Sequence, residues 1–127
     1  MRAVQIAQHA ADLTRATAFY SALLGAEPVA SFDPPGLVFF DLDGQRLLLD
    51  AGAPSALHYY QVDDLDAVIE RLRAAGATVE SPPHVIFTHR DGSLGPAGTE
   101  EMQAFVRDTE GNIVGLIAFR LNRSQPA

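Results

Sequence analysis

The chain states one pattern twice, and a tandem repeat sharply limits what a chain of this length can fold into. Asp12-Leu13 opens a helical stretch ending at Leu24-Gly25-Ala26, and it returns as Asp64-Leu65 opening a stretch that ends at Ala75-Gly76-Ala77. Asp43-Gly44-Gln45 with the apolar run Leu47-Leu48-Leu49 returns as Glu110-Gly111-Asn112 with Val114-Gly115-Leu116. A unit of about 60 residues is marginal by itself, so the two copies are expected to form one cooperative domain with a shared cleft.

The elements follow from periodicity and punctuation. Residues 3–8 read as a strand, and Asp12 caps a helix whose apolar positions Leu13, Ala16, Phe19, Tyr20 and Leu23 keep a period near 3.6 until Gly25 ends it. Strands follow over 28–32, 37–42 and 45–50, the last two joined by the hairpin signal Asp43-Gly44. The small, turn-prone run 51–55 is the linker. The second copy begins with a strand over 57–62 and a helix with the stripe Leu65, Val68, Ile69 and Leu72. Extended pieces at 78–80 and 84–88 flank Pro82-Pro83, and 90–99 is a long glycine-rich loop, read as mobile and able to cover a cavity. Strands over 101–107 and 112–119 close the copy. This predicts an α+β domain over residues 1–121, made of two βαβββ units at about 1–52 and 56–121, with a tail over 122–127.

Composition excludes several classes of function. Sixteen acidic against nine basic residues give a net charge of −7, which offers nothing to a phosphate backbone or an anionic lipid surface. The absence of cysteine removes disulfides, thiolate metal sites and a cysteine nucleophile. Serine-nucleophile and phosphate-loop motifs are absent. No apolar run reaches membrane-spanning length and none opens the chain as a signal peptide, so a cytoplasmic location is expected.

In order and spacing, Asp12-Leu13 with Phe19-Tyr20 and Leu24-Gly25, then Val62-Asp63-Asp64-Leu65, then Asp108-Thr109-Glu110-Gly111-Asn112, resemble the vicinal oxygen chelate superfamily over about residues 3–120. That group includes glyoxalase I, bleomycin-resistance proteins, methylmalonyl-CoA epimerases and extradiol dioxygenases. The resemblance implies that each unit curls into half of a barrel-like cavity, and it implies a homodimer. It also implies a divalent metal held by His, Glu or Gln from the first and last strand of each unit. Those donors would sit seven residues before the helix-opening Asp and four after the hairpin Gly. Counting places Gln5, Leu48, Leu57 and Gly115 there. Only Gln5 carries a donor atom, whereas a catalytic zinc site normally has three protein ligands, so no metal cofactor is expected. A register slip of one would bring in His58 for Leu57, at the cost of turning Tyr60 and Val62 inward.

Alternation anchored on those positions gives an inner face of Gln5, Ala7 and His9, then Arg46, Leu48 and Asp50, then Leu57, Tyr59 and Gln61, then Ile113, Gly115 and Ile117. Val4, Ile6, Leu47, Leu49, Tyr60, Val62, Val114 and Leu116 are left for the helices. The polar points Gln5, His9, Arg46, Asp50, Tyr59 and Gln61 on apolar walls predict a site for a small organic molecule. Arg46 and Asp50 are expected to form a local ion pair, or Arg46 to hold a carboxylate. Tyr59 is read as a wall residue before a general acid. His84 and His89, five apart, are not expected on one strand face or as a catalytic pair. The leading expectation is a metal-free binder of a small organic molecule in the cavity between the sheets. The alternatives are a metal-dependent lyase, isomerase or dioxygenase with a displaced site at Gln5, His9 and Asp50, or a dimeric interaction module with a vestigial cavity.

Overall fold

The computed structural model describes residues 1–122. Its elements are β1 (Gln5–His9), α1 (Leu13–Leu24), β2 (Ala30–Phe32), β3 (Leu37–Leu42), β4 (Gln45–Asp50), β5 (His58–Gln61), α2 (Leu65–Ala74), β6 (Val79–His89), β7 (Thr99–Arg107) and β8 (Ile113–Leu121). The strands form two four-stranded sheets, β1-β4-β3-β2 and β5-β8-β7-β6. In each, the first strand of the unit lies parallel to the last while the remaining pairs are antiparallel, so the predicted α+β fold of two βαβββ units is the one observed. The described residues divide into two compact units, residues 1–57 with Asp108–Asn112, and His58–Arg107 with 113–122. No helix among the described residues is long and apolar enough to cross a membrane.

In the first unit Asp12 accepts a hydrogen bond from the Arg15 N–H, and the α1 stripe Ala16, Phe19, Tyr20 and Leu23 is buried. Gly25, at φ 65, ends the helix in the left-handed conformation that a side chain would oppose. The β3–β4 turn places Asp43 and Gly44 at φ 53 and 90, the twin positive angles of a type I′ turn. Val38, Phe40, Leu47 and Leu49 are buried on the helix side of the sheet. Val4, also expected there, precedes β1 and is 53% exposed.

The hairpin turn Asp108–Asn112, from the second repeat in sequence, belongs to this first unit. Buried Asp108 accepts the Tyr20 hydroxyl at 2.7 Å, the Asn112 side-chain amide at 2.7 Å and the backbone N–H groups of Glu110 and Asn112 at 2.8 Å. The Asn112 amide also donates to the His9 carbonyl at 2.7 Å. The covered Glu110 carboxylate takes the Arg15 guanidinium at 2.7 and 3.2 Å, the Asp12 N–H at 2.8 Å and the Thr109 hydroxyl at 2.9 Å. Burial pushes the Glu110 carboxyl up, but the Arg15, Asp12 and Thr109 donors outweigh it and bring it from 4.5 to about 2.

In the second unit Asp64 caps α2 through the Ala67 N–H, and Leu65, Val68, Ile69 and Leu72 are buried as the period predicts. The segment expected to break at Pro82-Pro83 is one strand, β6. It is the outer strand of its sheet, where a missing N–H leaves no ladder partner empty, and register shifts along Val79 to Phe87 absorb the misfit. Strand β7 begins at Thr99, two residues earlier than expected. The loop before it is anchored: the Gly98 N–H donates to the His89 carbonyl at 2.8 Å, and the Thr99 hydroxyl to the Pro96 carbonyl at 2.6 Å. The predicted tail falls outside the described residues except for Asn122, whose N–H donates to the Gly98 carbonyl at 3.0 Å.

Candidate functional site

In the first unit the sheet face away from α1 carries the polar residues that the alternation singled out. Register pairs Gln5 with Arg46, Ala7 with Leu48 and His9 with Asp50, then Leu48 with Phe39 and Arg46 with Asp41, which sets all eight on one face. Leu47 and Leu49, the intervening residues, are fully buried. Gln8 is buried as well, because its amide is used on both sides: Nε2 donates to the Ala56 carbonyl at 2.6 Å and Oε1 accepts the Ala56 N–H at 3.0 Å. That pair fastens the residue after the linker to β1.

His9 Nδ1 lies 3.1 Å from the Ala53 carbonyl, and a carbonyl can only accept. Nδ1 therefore carries the hydrogen, and in the neutral ring Nε2 presents a lone pair. Asp50 accepts the Gly52 N–H at 2.8 Å, and the Arg46 guanidinium lies over the Phe39 ring, 5.8 Å from its centre. The expected Arg46–Asp50 ion pair does not form. The two residues are four apart along one strand, about 13 Å at roughly 3.3 Å per residue, and each has a nearer partner. The same spacing separates Gln5 from His9, so those two side chains cannot share one ion, while His9 and Asp50 are cross-strand neighbours. Among the described residues no three His, Asp or Glu side chains gather to hold one ion.

In the second unit Tyr59 pairs with Gly115, Gly115 with Phe105, and Ile117 with both Gln61 and Gln103. Tyr59 and Gln61 are therefore on the face that alternation predicted. The Tyr59 ring stands edge-on to Phe105 at 5.8 Å and lies across Gly115 so closely that a Cβ there would fall 2.5 Å from its Cδ1. His58 points the other way, level with buried Val114, and its Nδ1 is enclosed without a hydrogen-bond partner. Burial pushes its pKa below the ordinary 6.5. The register slip that would have brought His58 to the open face does not occur, because Tyr60 and Val62 keep their places on the helix side.

Residues 2–116 match the family model described as Glyoxalase/Bleomycin resistance protein/Dioxygenase superfamily. The chain belongs to this superfamily. No curated protein matches the sequence. Among solved structures it is similar to a lactoylglutathione lyase from Agrobacterium tumefaciens, with 29% identity over 92% of each chain and a TM-score of 0.65. It also shares its fold with a protein from the mobile metagenome of V. Pseudocholerae, at 20% identity, TM-score 0.72, covering 94% of this chain and 95% of that one. A glyoxalase-related enzyme from Fulvimarina pelagi shares it too, at 21% identity, TM-score 0.66, covering 93% and 88%.

Of the four positions that the resemblance implies as metal ligands, Gln5, Leu48 and Gly115 lie on β1, β4 and β8, whereas Leu57, expected on the inner face of a strand, precedes β5 and is 48% exposed. Leu48 pairs with Ala7, two residues beyond Gln5, and Gly115 pairs with Tyr59, two beyond Leu57. The relation is the same in both copies. Gln5 is the one side chain of the four with a donor atom; two leucines offer none, and the space that a side chain at 115 would enter holds the Tyr59 ring. This set does not fit a divalent ion.

One constellation escaped the sequence reading. His89, only 2% exposed, has its Nε2 2.8 Å from Glu101 Oε1, and Gln103 Nε2 donates to Glu101 Oε2 at 2.7 Å. Phe119 and Phe87 stand edge-on to the imidazole at 5.5 and 4.8 Å, and Gly95 of the preceding loop lies against it where a Cβ would come within 2.9 Å. His84 is exposed and hydrogen-bonds the Pro82 carbonyl. It pairs with Gln103 while His89 pairs with Thr99, so the shift between Val85 and Phe87 puts both histidines on one face despite their spacing of five. They are still four β7 residues apart and form no pair. The Glu101/Gln103 spacing of two was the available signal.

A recess of about 600 Å³ in the first unit is lined by Leu13, Thr14, Thr17, Phe32, Asp33 and Leu37 among others, and by none of the predicted ligand residues. It offers hydroxyls and a carboxylate. The Arg46 guanidinium and the His9 imidazole belong to the sheet face away from α1.

Proposed function

We propose that this superfamily member binds a small organic molecule against its open sheet faces and does so without the superfamily's metal. The observation that carries the reading is the Tyr59 ring lying across Gly115, which fills a ligand position with an aromatic wall. The faces suit such a ligand: Phe39, Leu48 and Ala7 with Arg46 and His9 in the first unit, Tyr59, Phe105, Ile113 and Ile117 with Gln61 in the second. Without Lewis-acid activation, sequestration or transport of the ligand is favoured over lyase, isomerase or dioxygenase chemistry. A panel of aromatic and aliphatic fragments, titrated into 15N-labelled protein with chelator present, tests this. Shifts at residues of these faces that are unchanged by added Zn²⁺ or Mg²⁺ are expected; shifts that require the metal contradict it.

The proposal includes two copies per assembly. Val85, Ile86 and Phe87, consecutive and 40–48% exposed on the outer strand β6, favour it. Light scattering is expected to give twice the chain mass.

A further inference from the structure

Arg46 shares its sheet face with two acids and pairs with neither. Asp41, its cross-strand neighbour, turns its carboxylate to the Gly44 N–H at 3.0 Å, and Asp50 turns to the Gly52 N–H. The guanidinium instead lies over Phe39, and Phe39 meets the ring of Phe32, 52% exposed, edge-on at 6.0 Å. Leu48 beside Phe39, and Ala7 beside Leu48, extend this platform as an apolar floor. An aromatic ring under the guanidinium orients its fork of N–H donors while leaving them open to an acceptor, the arrangement that suits a planar carboxylate.

We infer that the open face of the first unit recognises an organic carboxylate with a flat apolar body, the carboxylate on Arg46 and the body over Leu48 and Ala7 beside Phe39. This rests on the proposed small-molecule function and names its ligand class. The chain's net charge of −7 gives an anion no long-range attraction, so recognition comes from contact geometry. A lysine at 46 keeps the charge and loses the fork, which makes it the diagnostic substitution.

Benzoate and its neutral counterpart benzamide are the probes, titrated into 15N-labelled wild type, Arg46→Lys and Arg46→Gln. Arg46 is exposed, and an unchanged spectrum away from this face verifies that each variant is folded. Benzoate is expected to shift the amides of Phe39, Arg46 and Leu48 and to bind at least about tenfold tighter than benzamide. Arg46→Gln abolishes that preference and Arg46→Lys reduces it. Equal binding of the two probes, a preference that survives Arg46→Gln, or benzoate shifts confined to other surfaces overturn the carboxylate assignment while leaving small-molecule binding standing. Failure of both probes to perturb this face overturns the assignment. If the fragment panel also leaves both faces unperturbed, the small-molecule reading falls with it.

Discussion

Gly115 and Tyr59 define one another. A methyl group at 115 would sit 2.5 Å from the Tyr59 ring, so Gly115→Ala forces the ring or the strand to move and is expected to cost about 1–3 kcal/mol in urea denaturation. In a Tyr59→Ala background the same substitution is expected to cost much less, and equal costs in both backgrounds would separate the two residues. The strand positions of Gln5, Leu48 and Gly115 were legible because the repeat lets equivalent positions be counted, whereas Leu57 falls just before β5. Arg46 and Asp50 were placed on the right face yet wrongly paired, since alternation fixes the face and says nothing of Phe39 on the next strand. Glu101, His89 and Gln103 were not legible as a group. The extra residue in β6 near Ile86 changes which side chains share a face, and no residue there announces a bulge.

At the scale of elements, the Asp108–Asn112 turn is tied to the first unit through Tyr20, His9, Asp12 and Arg15. Asp108→Ala strips the acceptor from the Tyr20 hydroxyl, two backbone N–H groups and the Asn112 amide, and is expected to cost about 2–4 kcal/mol, read from the urea midpoint. Glu110 adds a pH dependence of defined sign. Its carboxyl is held at about 2 in the folded chain against an ordinary 4.5, so its stabilising contribution is present above about pH 4.5 and is lost as pH falls towards 2. The stability difference between wild type and Glu110→Gln should therefore shrink across that window; a constant difference would contradict it. Both helices were legible from their capping Asp and apolar stripes. Strand β6 was not, because Pro82-Pro83 reads as a break unless the strand is known to lie at a sheet edge, and edge position is set by the whole sheet.

At the scale of the molecule, the repeat matches the architecture of two βαβββ units, and the match to the family model over residues 2–116 shows the superfamily. Function is decided by a few side chains grafted on that architecture. Here the four positions counted through the repeat are a glutamine, two leucines and a glycine under a tyrosine ring, and in the proposed reading Arg46 on Phe39 is a recognition group that needs no ion. The most direct test of this account is elemental analysis of protein purified without chelator, for wild type and Gln5→Ala. Far less than one divalent ion per chain, unchanged by the substitution, is predicted. One ion per chain that disappears with Gln5 would contradict the account.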